Sequence, residues 1–251
     1  MRQFRGPILS EAPSTSPPPA LSPAPILGDG LGAAVADLES LATGNVRLEA
    51  DPRARAIKRG MDVVLASVAL LVLSPLLALI ALAVLLDSPG PILFRQERIG
   101  KYGRSFVMLK FRTMVADRRQ RNLGPPAGIP ERRRTHKSPN DPRITSIGRF
   151  LRRSCLDELP QFWNVLRGTM SLVGPRPELP HIVAQYEPWQ HSRHLAAPGI
   201  TGWWQVNRDG VHLMHQSTEL DLFYLEHWSI GLDLRILVRT LGIVLRGVGA
   251  F

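Results

Sequence analysis

VVLASVALLVLSPLLALIALAVLL, from Val63 to Leu86, is the stretch that decides the architecture of this chain. It runs for 24 residues without a charge, and its only polar side chains are Ser67 and Ser74. As a helix it would extend about 36 Å, enough to cross the ~30 Å hydrocarbon core of a bilayer. Length alone reads as a simple spanning helix. Two features point elsewhere. Pro75 lies at the centre, where it removes a backbone N–H and its ring crowds the preceding turn. Both flanks are also basic, with Arg53, Arg55, Lys58 and Arg59 before and Arg95, Arg98, Lys101 and Arg104 after. A spanning helix carries its basic excess on one side only. The symmetric flanks predict a helix that enters the membrane, breaks at Ser74-Pro75 and returns to the same side. The Ser74 hydroxyl would serve a carbonyl that the proline frees.

Around this stretch the 251 residues allow one or two domains. The single cysteine, Cys155, excludes an intramolecular disulfide framework and a multi-cysteine metal site. The net charge of +10 is unevenly placed. Residues 88–153 carry 17 Lys and Arg against four acids, whereas residues 1–52 and 154–251 are each slightly acidic. One local basic stripe points to a partner rich in phosphate. Residues 1–52 are Pro/Ala-rich without apolar periodicity and are expected to be disordered, and their start lacks the pattern of a cleaved signal peptide. The chain thus divides into that segment, a basic flank with the apolar helix at 53–87, and a body at 88–251.

In the body, Pro91 to Arg98 and Ser105 to Arg112 are apolar-rich arms around Gly100-Lys101-Tyr102-Gly103, a β-hairpin. Residues 117–140 read as a mobile basic loop. Helices are expected over 144–153, 157–167, 178–187, 214–228 and 232–248. In the last of these, Arg235, Arg239 and Arg246 fall at 0°, 40° and 20° on a helical wheel, on an otherwise apolar helix. A narrow basic ridge suits a helix lying in a membrane interface, and equally a core helix with one wet stripe. The fold class expected is mixed α/β and predominantly helical.

The chemistry concentrates at Leu156-Asp157-Glu158-Leu159-Pro160, adjacent carboxylates just after Arg149, Arg152 and Arg153. One carboxylate of such a pair can attack phosphorus while the other binds a hard divalent cation. The plain alternative is a helix N-cap followed by a first-turn acid. In Ser171-Leu172-Val173-Gly174-Pro175-Arg176-Pro177, the glycine and two prolines make a rigid turn on which Arg176 can clamp phosphate bidentately, or simply stand on the surface.

These residues resemble a known family, the bacterial sugar transferases, which are monotopic phosphoglycosyl transferases. The resemblance runs through Lys58-Arg59 with Asp62; Asp87-Ser88-Pro89-Gly90-Pro91-Ile92-Leu93-Phe94-Arg95-Gln96, followed by Arg98-Ile99-Gly100-Lys101; Lys110-Phe111-Arg112-Thr113-Met114; Asp141-Pro142-Arg143-Ile144-Thr145; Gly148 to Pro177; and Pro198-Gly199-Ile200-Thr201-Gly202-Trp203. It covers residues 58 to about 245. It implies transfer of a sugar-1-phosphate from a nucleotide diphosphate sugar, UDP-linked by family frequency, to polyprenyl phosphate with Mg²⁺. It also implies attachment to the cytoplasmic face of the bacterial inner membrane through a re-entrant helix broken at Ser74-Pro75. The family's aspartate nucleophile falls on Asp157, its metal-associated glutamate on Glu158, and its phosphate-binding arginines on Arg152 and Arg176. The partners implied are the sugar nucleotide, polyprenyl phosphate and membrane lipid, without nucleic acid. Cys155 stands where the family commonly has Ser or Thr, Thr169 where it has Asp, and Trp204 where it has a small residue. Residues 1–52 and 117–140 have no placed counterpart.

Other residues carry weaker signals. His191/His194 and His212/His215 share an i, i+3 spacing that suits a metal, and equally surface or core histidines. Trp189, Trp203, Trp204 and Trp228 suit interfacial anchoring or the core. Cys155 is read as a packing residue beside the carboxylates. Two rivals stand against the leading reading. One is a non-enzymatic, membrane-tethered basic module that binds nucleic acid or anionic lipid through residues 88–153. The other is direct transfer with Asp157 as a general base.

Overall fold

A computed structural model describes residues 51–115, 141–207 and 218–246. Residues 1–50 of the segment 1–52 expected to be disordered, the basic loop at 117–140 and the pair His212/His215 lie outside the described residues, whereas Asp51 and Pro52 are ordered at a helix start.

The apolar stretch and its basic flank form one helix, α1 (Pro52–Asp87). Asp51 caps its start, accepting from Arg53 N at 2.8 Å, with Pro52 in the first turn where a missing N–H costs nothing. The helix continues through Pro75, so the break expected at Ser74-Pro75 does not appear as an interruption of the element: the proline sits inside one continuous helix. Pro75 has no N–H for the Leu71 carbonyl four residues back. The Ser74 hydroxyl donates to that carbonyl at 2.8 Å, which is the service the sequence predicted.

Both limbs of α1 pack on one body. Near its start, Lys58, Asp62 and Ala66 are buried, and Ala66 joins the main core with Val165, Leu172 and Ile236. Near its end, Ile80 and Val84 join a second core with Phe111 and Leu151. Between them Leu71 is 76% and Val72 68% exposed.

The hairpin forms as predicted. Strands β1 (Leu93–Ile99) and β2 (Ser105–Phe111) pair antiparallel, with Leu93 opposite Phe111 and Ile99 opposite Ser105. A short 3₁₀ turn, Lys101–Gly103, joins them. After it come α2 (Ser146–Arg153), a 3₁₀ turn at Leu156–Glu158, and α3 (Gln161–Leu166). The expected single helix over 157–167 is therefore split. Pro160 has no N–H to offer the Leu156 carbonyl, and Leu159 N takes that carbonyl in a 3₁₀ bond instead, so the α-helix starts only at Gln161. Strand β3 (Ser171–Val173) pairs in parallel with β4 (Gly199–Thr201). Between them lie α4 (Pro180–Val183) and a 3₁₀ helix, Pro188–Leu195. The helix expected over 178–187 shrinks to α4: Leu179, preceding Pro180, is extended (φ −74°, ψ 143°) and delays its start, and after Val183 the bonds from Gln185 N and Tyr186 N tighten to carbonyls three residues back. The remaining elements are α5 (Trp203–Asn207), α6 (Thr218–Glu226) and α7 (Ile230–Leu245).

Helix α7 has three faces. Leu232, Asp233 and Ile236 are buried. Leu234, Val238, Leu241 and Leu245 form an exposed apolar stripe, with Val238 at 72% and Leu245 at 78%. The ridge of Arg235, Arg239 and Arg246 runs beside that stripe at about 100° from it.

Of the tryptophans, Trp204 and Trp228 are core residues, while Trp189 is exposed and donates to Glu187 at 2.7 Å.

Candidate active site

Three local devices build the site. The first places α2 against β2. Thr145 caps α2, accepting from Gly148 N at 2.9 Å, and its own N–H bonds the Thr113 carbonyl. Gly148 lies so close to Thr113 that a Cβ would sit 2.1 Å from that carbonyl oxygen, so only glycine fits. The second is the corner at Cys155, which adopts φ 58°, ψ 12°, a left-handed conformation that costs a non-glycine residue about 1 kcal/mol or more. It ends α2 and swings the chain into the 3₁₀ turn that bears the carboxylates. Asp157 is therefore not a helix N-cap. The third is Asn164 on α3, whose side-chain amide donates to Val107 O at 2.7 Å and accepts from Leu109 N at 3.0 Å, imitating a strand along β2.

The turn presents Asp157 and Glu158 to a ring of cations. Glu158 Oε1 accepts from Lys110 Nζ at 2.6 Å and from an Arg176 terminal nitrogen at 2.8 Å. Burial disfavours its charge, but the Arg176 guanidinium and the Lys110 ammonium outweigh that and hold Glu158 well below the usual carboxylate range. Asp157 is buried, and that burial pushes it up to about 6 against the pull of Lys110. The Glu158 charge adds to the rise, and Arg152 and Arg176 oppose it. Adjacent carboxylates whose proton affinities are driven apart divide naturally into different roles. Arg152 donates from Nε to Thr113 Oγ1 at 2.8 Å. Its pKa is lowered by burial, partly offset by Asp157.

All four residues singled out from the sequence, Arg152, Asp157, Glu158 and Arg176, thus act on one another at one place. The membrane-helix pair Ser74 and Pro75 serves α1 instead. The sequence reading missed Lys110 and Arg98 as site residues. Arg98 donates to Pro177 O at 3.2 Å, pairs with Glu178 at 3.5 Å, and is lowered to about 10 by burial. The available signal was position. Lys110 follows Val107-Met108-Leu109 on a half-buried strand, where an ammonium needs an acidic partner.

Mg²⁺ commonly takes one or two carboxylates together with substrate phosphates rather than a full protein cage. Glu158 fits that mode, since the two cations engage only one of its oxygens. Among the described residues no cluster of three or more His, Cys, Asp or Glu is placed to hold a metal. His191 and His194 instead pack with Tyr186, ring centroids 5.7–6.0 Å apart, and burial lowers the pKa of both. A cavity of about 320 Å³ lined by Trp203, Phe223, His227, Leu232 and Arg235 contains none of the carboxylate site.

The site is thus an acid pair, Asp157 buried and Glu158 half-buried, ringed by Arg and Lys on a body fixed to a long apolar helix. The chain belongs to the bacterial sugar transferase family, whose model matches residues 53–247. It is 44% identical over 197 residues to the UDP-glucose:undecaprenyl-phosphate glucose-1-phosphate transferase of Escherichia coli, covering 74% of this chain and 39% of that protein. It is 38% identical over 203 residues to the UDP-N-acetylgalactosamine-undecaprenyl-phosphate N-acetylgalactosaminephosphotransferase of Aeromonas hydrophila, covering 77% and 45%. A Caulobacter vibrioides protein bearing the first of those names is 44% identical over 191 residues, covering 73% and 67%. The chain spans less than half the length of the first two relatives. These findings lend no support to the non-enzymatic basic module.

Proposed function

We propose that this protein is a polyprenyl-phosphate phosphoglycosyl transferase that moves a sugar-1-phosphate from a UDP-sugar to undecaprenyl phosphate, the first membrane step of a polysaccharide pathway. The observation that carries the reading is the Asp157-Glu158 pair, held among Lys110, Arg152 and Arg176 in a chain of this family.

Asp157 is the nucleophile. Its carboxylate oxygen attacks the sugar-linked phosphorus, the bridging P–O bond breaks, and nucleoside monophosphate leaves with the bonding electrons. The polyprenyl phosphate oxygen then attacks the aspartyl phosphosugar and returns Asp157 as a carboxylate. Arg152 and Arg176 offset phosphate charge in both steps, where preorganised cations in a buried site act strongly. Lys110 and Arg176 keep Glu158 ionised, so the charge opposing Asp157 is fixed. Mg²⁺, when bound by Glu158 together with the phosphates, would supply neutralisation of the diphosphate charge. The decisive experiment is to incubate the protein with a panel of nucleotide sugars and undecaprenyl phosphate and measure monophosphate release. Release from none of them sinks the proposal.

The proposal includes a pH dependence. Asp157 must be ionised to attack, and burial places it at about 6. Below that value the carboxyl is protonated and inactive. Hence kcat/KM should rise with pH through a single ionisation, levelling off above about pH 7. A rate independent of pH across that window would mean that the Asp157 ionisation at about 6 does not govern the attack.

The membrane arrangement proposed is monotopic and re-entrant, with 53–87 as the membrane segment and 88–251 as the cytoplasmic body on the inner-membrane face. Supporting it, residues 67–79 separate Ala66 from Ile80, both buried against the same body. Thirteen helical residues cover about 20 Å, short of the ~30 Å hydrocarbon core. The exposed stripe and basic ridge of α7 suit an interfacial helix, with its apolar face in lipid and its arginines at the headgroups. Cysteines introduced singly at Ala56 and Glu97, in a Cys155→Ser background, should both resist an impermeant thiol reagent on intact spheroplasts. Both should react once the membrane is opened. Labelling of the Ala56 position alone from outside would establish a spanning helix.

A further inference from the structure

We infer that Arg193, held by Asp221, is a positioning residue that sets the Arg176 clamp by gripping its backbone carbonyl; the inference rests on the role proposed above for Arg176. Arg176 stands between Pro175 and Pro177. Neither proline has an N–H, so the loop offers mainly carbonyls by which it can be held. Three successive carbonyls are taken by three different elements. Gly199 N on β4 donates to Pro175 O at 2.9 Å. The Arg193 guanidinium, on the 3₁₀ helix Pro188–Leu195, donates to Arg176 O at 2.8 Å. Arg98 on β1 donates to Pro177 O at 3.2 Å. Arg193 holds the middle one, on the residue whose side chain reaches Glu158 at 2.8 Å.

Arg193 is only 1% exposed and so cannot itself touch a substrate. The terminal nitrogen that donates to Arg176 O also lies 2.6 Å from Asp221 Oδ2 in an ion pair, and the second terminal nitrogen donates to Tyr186 OH at 2.5 Å. A fully buried ion pair is weak evidence for stability, because an apolar replacement of similar volume often does as well. What this pair provides beyond itself is a fixed fork aimed at Arg176. A guanidinium can donate to Tyr186 and to the carbonyl from two rigidly splayed nitrogens while its charge faces Asp221, whereas an ammonium cannot reproduce that geometry.

The test is a double-mutant cycle on the full chain in nanodiscs, with undecaprenyl phosphate as acceptor and UDP-glucose, UDP-galactose and UDP-N-acetylgalactosamine as donors. Arg193→Lys keeps the charge facing Asp221 and should lower kcat/KM at least about tenfold. In an Arg176→Ala background the same substitution should cost less than about twofold, because the loop it sets no longer carries a clamp. Tyr186→Phe, which removes one partner of the fork and leaves the ion pair, should show a smaller loss with the same dependence on Arg176. It keeps the question open to measurement if Arg193→Lys does not fold. Equal fold losses in both backgrounds would assign Arg193 a purely structural role and overturn the inference while leaving the Arg176 clamp intact. An Arg176→Ala variant with the wild-type rate would remove the clamp and the positioning role together, but not the Asp157 chemistry, which is read separately by the adduct.

Discussion

Asp157→Asn is expected to give a folded protein that releases nucleoside monophosphate at least about a thousandfold more slowly and accumulates no covalent adduct. The substitution keeps the volume of a buried side chain, so the packing around the turn survives. What disappears is the anionic oxygen that attacks phosphorus. With wild-type protein and donor alone, the peptide bearing Asp157 should gain the mass of a hexose phosphate, and chase with undecaprenyl phosphate should discharge it. The contrast with direct transfer is sharp. A general base contributes typically about 10²–10⁴-fold and leaves no adduct. A wild-type protein that turns over without any trapped mass would favour that route. Wild-type monophosphate release from the Asn variant would remove Asp157 from the mechanism altogether.

Lys58→Met is expected to be the most destabilising single change in α1. Lys58 is buried and donates to Asp233 Oδ2 at 2.7 Å and to Val173 O at 3.0 Å. Asp233 is wholly buried and also accepts from Tyr224 OH at 2.8 Å and Trp228 Nε1 at 3.3 Å. Removing the ammonium leaves that carboxylate buried without its counter-charge, a loss of roughly 3–5 kcal/mol. The thermal midpoint in detergent should fall steeply, and limited proteolysis should cut the chain sooner. Lys58→Met combined with Asp233→Asn should recover a good part of the loss, because the stranded charge is then gone. An unchanged midpoint for the single variant would show that this pair does not tie α1 to the body. Arg59 and Asp62 share the task. Arg59 donates to Val165 O and Leu166 O at the end of α3, and Asp62 accepts from Leu172 N at 3.0 Å.

Much of the site was legible before any coordinates. Asp157 and Glu158 were found because adjacent carboxylates after three arginines are conspicuous, and Arg176 because glycine and two prolines around one arginine announce a rigid turn. The freed carbonyl near Pro75 followed from proline chemistry, and Ser74 was its only close donor. Lys110 and Arg98 escaped because each lies far along the chain from the acid it serves. The 3₁₀ turn at the dyad escaped because a lone Cys155 at φ 58° leaves no periodic trace.

What the amino-acid sequence determined by itself was everything carried by local covalent geometry and short-range pattern. That comprises the long apolar helix with its internal proline, the hairpin around Gly100-Lys101-Tyr102-Gly103, and the chemical types of the site residues. What only the tertiary structure decided was which charges meet. Glu158 is held by Lys110, 48 positions away, and Asp233 by Lys58, 175 positions away. The Arg176 loop is gripped by Arg98 and Arg193 from opposite sides of the sequence. Burial makes such pairings obligatory, since a charge removed from water must find a partner. It does not say which of 31 Lys and Arg will supply it. That choice is made by the packing of α1, β2 and the turn at Cys155, where contacts distant in sequence become neighbours in space.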